Sequence, residues 1–272
     1  MKSWQTPESG RIARGPITAA RIREMPDDHR EAAGEKRVSS DRKREWNMDK
    51  KSENRKNKIL ILTGGKIDTD FAADYLRGKQ FDRIIAADSG LASCRALAVT
   101  PTDILGDFDS LKDKTLLEYY KERGVPVREF PARKDYTDTE LAVEYARELS
   151  PETVILLGAT GTRYDHALAN IGMLEKLAAE DIAGEIVDEH NEIEMLCGQN
   201  EKIYKKRPER TFFSLVAWGG AVTGIDLIGF SYPLHDAVLR PSQSLGISNE
   251  LTEESGTLRM KTGNLLVIRS SD

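Results

Sequence analysis

Two aspartates stand one residue apart in the segment "ILGDFDSL", which runs from Ile104 to Leu111. Asp107 and Asp109 repel each other, so their proximity needs a physical reason. A solvated acidic turn is one such reason. A divalent cation site is another, because hard cations such as Mg²⁺ bind carboxylate oxygens and offset their repulsion. The segment by itself leaves both interpretations open.

The segments around this motif alternate between strand and helix patterns. Short apolar runs that end in glycine, such as "KILILTGG" (58–65) and "RIIAADSG" (83–90), predict buried parallel strands. Runs such as "TELAVEYARELS" predict the helices between them. Strands that alternate with helices favour a doubly wound, mainly parallel α/β domain, which we predict over residues 58–184.

In such a sheet, ligands bind outside the carboxyl ends of the strands. Six aspartates follow four separate predicted strands and would converge on this edge. They are Asp88, Asp107, Asp109, Asp135, Asp138 and Asp165. Six carboxylates this close would be strongly destabilising without a cation and a cationic part of the substrate. The recurrence therefore favours the metal interpretation over a solvated turn.

Other residues at the same edge suit phosphate chemistry. Lys134 and Arg163 supply positive charge, and an arginine can bind phosphate in a bidentate way. Gly64 and Gly65 would let backbone amides approach phosphate oxygens closely. The chain contains no G-x-x-x-x-G-K-[ST] motif, so a P-loop is excluded.

After Gly184 the pattern changes to short alternating segments punctuated by Gly, Pro and Asn. Such segments are typical of antiparallel β structure. We predict a smaller β-sandwich or half-barrel domain over residues 185–272. A small sheet with many edges would gain from pairing with a second copy of the chain.

Five motifs together carry a family resemblance: "AADSG", "GDFDSL", "KDYTDTE", "GATGTRYDHALANI" and "GISNE". In their order and spacing, the chain from Lys58 onward closely resembles the bacterial thiamine pyrophosphokinases. The resemblance implies transfer of a pyrophosphoryl group from ATP to the hydroxyl of thiamine, which gives thiamine diphosphate and AMP. It also implies a Mg²⁺ requirement and a homodimer with sites at the subunit interface.

The resemblance also implies roles for individual residues. Asp107, Asp109 and Asp138 are the expected catalytic and Mg²⁺-binding carboxylates. The residues expected at the nucleotide phosphates are Gly64, Gly65, Lys134, Asp135, Thr137, Arg163 and His166. The residues expected to bind thiamine are Asp88, Asp165, Asn170, Tyr232, Ser248 and Asn249. The general base stays open, with Asp138 as one candidate to orient the hydroxyl or accept its proton.

Three ring-bearing residues keep more than one interpretation. His166 lies at the start of a predicted helix and could make an active-site contact or only structural hydrogen bonds. Tyr232 could stack on the aminopyrimidine of thiamine or belong to the core of a β sheet. Trp218 lies at a predicted strand end, a position that favours a packing role over contact with a ligand.

Two other functions fit parts of the pattern. A Mg²⁺-dependent nucleotidyl- or phosphotransferase with a different acceptor alcohol would use the same acidic cluster, and only the C-terminal segment distinguishes it. A non-catalytic sensor of thiamine or a nucleotide would keep the fold. The carboxylates together with Lys134 and Arg163 favour catalysis, because a sensor has little need of the complete set.

Charge is distributed unevenly along the chain. Residues 1–57 hold 15 of the 40 Lys and Arg and 10 of the 45 Asp and Glu, so the remainder carries a net charge of −10. An acidic body disfavours a nucleic-acid surface. No apolar run approaches the roughly 20 residues that span a bilayer. With two cysteines lacking metal-like spacing and no secretory signal, we expect a cytoplasmic protein without nucleic-acid or membrane partners.

Residues 1–57 contain almost no apolar periodicity, and we predict a disordered basic extension there. Its ten acidic residues argue against a nucleic-acid-binding arm or a transit peptide. Met48 is an alternative start of the chain.

A chain shortened to begin at Met48 is expected to match the full chain in melting temperature and activity, because the extension lacks apolar residues to dock. Calorimetry and an activity assay on both chains check this. A clear loss of stability or dimerisation in the shortened chain would mean that the extension packs against the rest.

Overall fold

The structure is a computed structural model that describes residues 57–130 and 135–272. The predicted extension, apart from Asn57, lies outside these ranges, as does Lys134. The helices of the described part are α1 (Thr69–Leu76), α2 (Gly90–Ala96), α3 (Thr115–Lys121), α4 (Asp138–Glu148) and α5 (Tyr164–Ala178). Its strands are β1 (Lys58–Leu62), β2 (Arg83–Ala87), β3 (Asp103–Gly106), β4 (Val127–Glu129), β5 (Thr153–Leu157), β6 (Ala183–Val187), β7 (Asn191–Cys197), β8 (Asn200–Lys205), β9 (Phe212–Ile228), β10 (Leu234–Leu239), β11 (Ser255–Met260) and β12 (Thr262–Ser270).

The first half of the described chain forms a parallel sheet in the order β4-β3-β2-β1-β5-β6. One face packs against α4 and α5 through residues such as Val143 and Leu174. The other face packs against α1, α2 and α3 through residues such as Leu91 and Leu117. Both faces are covered, which is why the strands read as continuous apolar runs. The predicted doubly wound α/β architecture is confirmed.

The sheet continues beyond β6 without a break. β6 pairs parallel with β5 on one side and antiparallel with β7 on the other, and β12 and β9 follow. The predicted boundary between residues 184 and 185 therefore falls inside a strand that belongs to both halves. The division of the chain at that point stays a prediction.

The second half is the smaller antiparallel β domain that the sequence predicts. The sequence pattern separates "TFFSLVAW" from "AVTGIDLIGF", whereas the structure joins them in one strand of 17 residues, β9. Gly219 lies at the junction with a φ of +67°, a conformation that glycine adopts without steric cost. The first part of β9 pairs with β12, and the later part pairs with β10 and β11. Side chains of the two sheet portions enclose one core.

The sequence composition leads us to expect no membrane-spanning segment and no disulfide framework. No helix in the two described ranges is long and apolar enough to cross a membrane. Cys94 and Cys197 are both free. Burial raises the pKa of the Cys94 thiol to about 12, so this side chain behaves as a core residue.

Phe213 lies at the centre of the β-domain core, 1% exposed, with its ring 4.8 Å from that of Tyr204 and 4.7 Å from that of Phe230. Phe213→Ala is expected to lower the free energy of unfolding by about 3–5 kcal/mol, because it removes transfer energy and leaves a cavity. Urea denaturation measures the change. Ile203→Ala is the control, since Ile203 is 65% exposed. Equal effects of the two substitutions would contradict the assigned core.

Candidate active site at the carboxyl ends of the strands

A cleft of about 550 Å³ opens where β1, β2, β3 and β5 end. The loops that follow these strands line it, together with the starts of α4 and α5. The sequence-predicted residues in its lining are Gly64, Gly65, Asp88, Asp107, Thr137, Asp138, Arg163, His166 and Asn170. These residues therefore converge at this edge of the sheet, as predicted. Asp109, Asp135 and Asp165 follow the same strands but lie outside the lining.

Glycine lets two of these loops meet backbone to backbone. A Cβ added to Gly65 would lie 2.0 Å from the carbonyl oxygen of Gly158, a distance that no side chain tolerates. Gly158 itself has a φ of +77°. The loops after β1 and β5 therefore stay in contact only because neither carries a side chain at this point.

Asp88 is the most buried carboxylate of the cleft, at 9% exposure. Its Oδ2 accepts a hydrogen bond from the hydroxyl of Ser110. Its Oδ1 is buried without a hydrogen-bond partner among the described residues, and so is Oγ1 of Thr63 in the same cleft. Buried polar atoms are nearly always hydrogen-bonded, and these two are therefore positions where a ligand is expected.

The D-x-D motif separates its two carboxylates. Oδ1 of Asp107 accepts a hydrogen bond from the backbone N–H of Asp109 at 3.0 Å. Between them, Phe108 is 3% exposed in the core and has a φ of +58°, and the Lys114 ammonium donates to its carbonyl oxygen. This anchored turn brings Asp107 into the lining of the cleft, whereas Asp109 is exposed outside it.

The start of α4 carries two of the predicted residues. The Thr137 hydroxyl accepts a hydrogen bond from the backbone N–H of Glu140 at 3.1 Å and so caps the helix. Asp138 is the first residue of the helix, and both line the cleft. Asp135 is exposed and lies outside the lining, and Lys134 lies outside the described residues.

The start of α5 holds a bidentate ion pair. The Arg163 guanidinium donates to both oxygens of Asp165, at 3.1 Å and 2.5 Å, and the backbone N–H of His166 donates to Oδ1 at 2.9 Å. The guanidinium, followed by this N–H, holds the pKa of the Asp165 carboxyl at about 2. Asp165 therefore orients Arg163, whose side chain lines the cleft.

Further along α5, His166 and Asn170 also line the cleft. The position of the His166 side chain favours the active-site interpretation of this residue. Asn170 is 6% exposed, and its amide donates to the carbonyl oxygen of Ala159 at 2.7 Å. It therefore fastens α5 to the loop after β5.

The predicted residues of the β domain lie outside this cleft. Tyr232 is 70% exposed, which excludes the core interpretation. Asn249 is 2% exposed: its Oδ1 accepts from the backbone N–H of Tyr232 at 3.0 Å, and its amide donates to the Tyr232 carbonyl oxygen at 2.8 Å. Asn249 thus positions Tyr232. Ser248 is exposed, and Trp218 packs against the α/β core as predicted.

Sequence reasoning assigned no role to several residues of the cleft, and two of these, Thr63 and Ser110, bear on its buried polar atoms. Both lie inside quoted motifs, in "KILILTGG" and "GDFDSL". Hydroxyl side chains at strand ends are common, so their types alone gave no signal. Thr63 is distinguished by its own burial, at 1% exposure, and Ser110 by its hydrogen bond to the buried Asp88.

A second and larger cavity, of about 1010 Å³, lies near the amino ends of β1 and β5. Its lining includes Glu192, whose carboxylate is bound by Arg207 at 2.6 Å and by Arg269 at 2.5 Å. Five buried side-chain atoms have no hydrogen-bond partner among the described residues; two of them, Oδ1 of Asp88 and Oγ1 of Thr63, lie in the smaller cleft, and none lies in the lining of the larger cavity. We therefore assign the functional site to the smaller cleft.

The fold and the cleft define the class: a doubly wound α/β protein with carboxylates and a glycine-lined turn at the carboxyl ends of its strands. Two family models match, "Thiamin pyrophosphokinase, catalytic domain" over residues 76–185 and "Thiamin pyrophosphokinase, vitamin B1 binding domain" over residues 200–265. The chain is 32% identical over 189 residues to the thiamine pyrophosphokinase of Bacillus subtilis (strain 168). The aligned residues make up 69% of this chain and 87% of that protein.

Solved structures agree with the family models. The crystal structure of the Bacillus subtilis thiamine pyrophosphokinase matches with a TM-score of 0.71 at 30% identity, over 79% of this chain and all of that one. The Geobacillus thermodenitrificans enzyme matches with a TM-score of 0.68 at 30% identity, over 79% and 98% of the chains. The yeast enzyme, at 15% identity and a TM-score of 0.66 over 81% and 88%, shares the fold. The chain belongs to the thiamine pyrophosphokinase family.

Gly65→Ala is expected to lower both activity and melting temperature, because the added Cβ would force the loops after β1 and β5 apart. We expect activity to fall by roughly tenfold or more, because a displacement of about 1 Å at an active site is enough to cause such a loss. Gly220→Ala is the matched control, since a Cβ there meets no atom within 4 Å. Activity and calorimetry on both variants measure the effect. Wild-type behaviour of Gly65→Ala would contradict the contact.

Proposed function

We propose that this chain transfers a pyrophosphoryl group from ATP to the hydroxyl of thiamine, giving thiamine diphosphate and AMP. The observation that carries the proposal is the buried, unpartnered Oδ1 of Asp88, which lies in the same cleft as Asp107 in the region that matches the catalytic-domain model. The match of residues 200–265 to a vitamin B1 binding domain supports thiamine as the acceptor.

The phosphate chain of ATP would be held by groups that the cleft already contains. Backbone amides of the glycine-lined loops and the Arg163 guanidinium suit phosphate oxygens. Arg163 is paired with Asp165, so binding would exchange one anionic partner for another. Positioning and electrostatic stabilisation dominate this type of transfer, since the protein need form no covalent bond.

Asp138 is our candidate for the group that orients the thiamine hydroxyl. It lies in the first turn of α4 and lines the cleft. A carboxylate within hydrogen-bond reach of the hydroxyl can align it for attack on the β-phosphorus and accept its proton. Thr137 fixes the start of the helix and so holds Asp138 in place.

The residues of the cleft fit Mg²⁺. No group of three or more His, Cys, Asp or Glu side chains within residues 57–130 and 135–272 is arranged to hold a metal by itself. Mg²⁺, however, usually binds through one or two carboxylates together with substrate phosphates and water. Asp107 would hold it, with Asp88 beside it and with Asp109 and Asp138 as the further predicted carboxylates. When bound, the ion would withdraw negative charge from the phosphoryl oxygens.

We infer that the thiamine site is completed by a second copy of the chain. Tyr232 is 70% exposed on the β domain and lies outside the cleft of its own chain, yet an aromatic ring suits the aminopyrimidine. Several other large apolar side chains are exposed, namely Tyr164, Leu168, Leu245 and Ile247. Two of them, Tyr164 and Leu168, lie on α5, whose first turns also contribute His166 to the cleft, and an isologous partner would bury them.

We also place the protein in the cytoplasm. The two cysteines are free, which suits a reducing compartment. The proposed co-substrate ATP is an intracellular metabolite, so the location and the reaction are consistent.

Product analysis tests the proposed function. The full chain is incubated with ATP, Mg²⁺ and thiamine, and AMP and thiamine diphosphate are separated by chromatography. Equal amounts of both products, formed only when thiamine is present, are expected. AMP formation with another alcohol but not with thiamine would favour the alternative transferase. Binding of both substrates without any product would favour the sensor.

Asp107→Asn is expected to abolish turnover while the melting temperature stays near that of the wild type, because the substitution removes a charge with little change in volume. Asp109→Asn carries the same expectation from the family pattern. Turnover and the affinity for Mn²⁺, used as a spectroscopic substitute for Mg²⁺, measure the effect. Asp181→Asn is the control, at an exposed position outside the cleft. Near-normal Mn²⁺ affinity in Asp107→Asn would remove this residue from the metal site.

Subunit mixing tests the shared site. Asp107→Asn and Tyr232→Ala are each expected to be nearly inactive alone. After exchange of subunits at equal amounts, about half of the dimers would be mixed, and each would contain one intact site of two. Recovery of roughly one quarter of wild-type activity is then expected from two-fold symmetry. Verified exchange without recovery would assign Tyr232 and Asp107 to the same chain's site.

A further inference from the structure

The backbone of Asp88 is fixed from two sides. Its N–H donates to the carbonyl oxygen of Leu105 at 2.7 Å, and its φ of +49° is in the left-handed region. Gly106 lies directly against it: a Cβ there would be 3.0 Å from Cα and 3.1 Å from N of Asp88. The end of β3 therefore clamps the main chain of Asp88, and only the side-chain torsions remain adjustable.

The group that fixes those torsions is the hydroxyl of Ser110, which donates to Oδ2 of Asp88. Ser110 belongs to a turn that is itself anchored. Phe108 is 3% exposed in the core, and its carbonyl oxygen accepts from the Lys114 ammonium and from the N–H of Leu111. The hydroxyl thus comes from a rigid position on the neighbouring strand end.

This arrangement leaves the two oxygens of Asp88 in different states. Oδ2 is bound to Ser110, whereas Oδ1 is buried with no hydrogen-bond partner among the described residues. A carboxylate that is 9% exposed has a strong preference for a cationic partner, because burial without one is costly. The two oxygens are chemically equivalent, so the bond from Ser110 matters because it holds the plane of the carboxylate and with it the direction of the unbound oxygen.

We propose that Ser110 is a positioning residue that holds the Asp88 carboxylate with Oδ1 directed to a cationic group in the cleft. The cationic group is either a divalent metal ion or the positively charged ring system of thiamine. Asp88 is the contacting residue, and Ser110 acts through it. The inference rests on the proposed function and adds a specific role for a serine within the "GDFDSL" segment.

The test uses the full chain with the variants Ser110→Ala, Ser110→Thr, Asp88→Asn and the double variant Ser110→Ala/Asp88→Asn. Thr115→Ala is the matched control, since its hydroxyl donates to Oδ1 of Asp113 at 2.6 Å, an equivalent bond on an exposed carboxylate outside the cleft. Two ligands are titrated separately without ATP: Mn²⁺ by electron paramagnetic resonance and thiamine by calorimetry. Melting temperatures and the split between kcat and KM are measured on the same samples.

Ser110→Ala is expected to raise the dissociation constant of one of the two cations by roughly tenfold, as the loss of a hydrogen bond to a charged group does. Its melting temperature should stay near that of the wild type. Ser110→Thr keeps the hydroxyl and is expected to bind within about twofold of the wild type. The double variant should bind no more weakly than Asp88→Asn, because the two groups act as a unit. The ligand whose affinity falls identifies the cation.

Unchanged affinities in Ser110→Ala, together with weakened binding in Asp88→Asn, would overturn the inference and leave the proposed function standing. A lower melting temperature with unchanged affinities would make Ser110 a structural tie only and would also overturn it. Unchanged binding of both cations in Asp88→Asn would remove Asp88 itself from the site. The product analysis judges the proposed function independently of these outcomes.

Discussion

Backbone contacts between neighbouring strand ends are the constraint on which the rest of the site depends. A Cβ at Gly90, the first residue of α2, would lie 2.0 Å from the carbonyl oxygen of Leu62, so this contact joins the end of β1 to the helix that follows β2. The Gly65–Gly158 contact joins β1 to β5, and the Gly106–Asp88 contact joins β2 to β3. At the first two junctions the main chains approach more closely than a side chain would permit, and at the third an added Cβ would lie only 3.0 Å from Cα of Asp88. The cleft is therefore bounded by loops whose separation is set by backbone atoms.

The electrostatics of the site follow from this closeness. Loops held in contact bring Asp88, Asp107 and Asp138 into one lining, and like charges at short range destabilise the folded state. The chain offsets part of this cost internally: Asp107 accepts from a backbone N–H, and Asp165 is neutralised by Arg163. Oδ1 of Asp88 and Oγ1 of Thr63 have no such compensation within the described residues. A cation and a phosphate chain bound at these two atoms would therefore stabilise the folded state.

The sequence predicts the architecture because it is encoded locally. Apolar runs that end in glycine identify the parallel strands, and the D-x-D motif after one of them identifies the edge where the site lies. The change to period-2 segments after Gly184 likewise identifies the antiparallel domain. The continuity of β9 could not be predicted, because glycines such as Gly219 are equally typical of a turn and of a bend within a strand.

Individual side-chain directions depend on tertiary contacts that no pattern encodes. Asp107 lines the cleft and Asp109 does not, because Phe108 is anchored in the core with a positive φ. Asn249 matches a family motif, yet its amide holds the backbone of Tyr232, a residue far away in the sequence. The positioning role proposed for Ser110 depends on the burial of Asp88, which the sequence does not show. The sequence thus predicts the edge of the sheet at which nine of the candidate residues converge, whereas the direction of each side chain requires the structure.

We have proposed that the cation and the phosphates bind at the carboxyl ends of the strands. A crystal of this protein grown with Mn²⁺, thiamine and a non-hydrolysable ATP analogue, measured at the manganese absorption edge, tests it most directly. We expect an anomalous peak beside Asp107 in the cleft, next to the phosphates of the analogue. A peak in the cavity lined by Glu185 and Glu192, with the cleft empty, would contradict it.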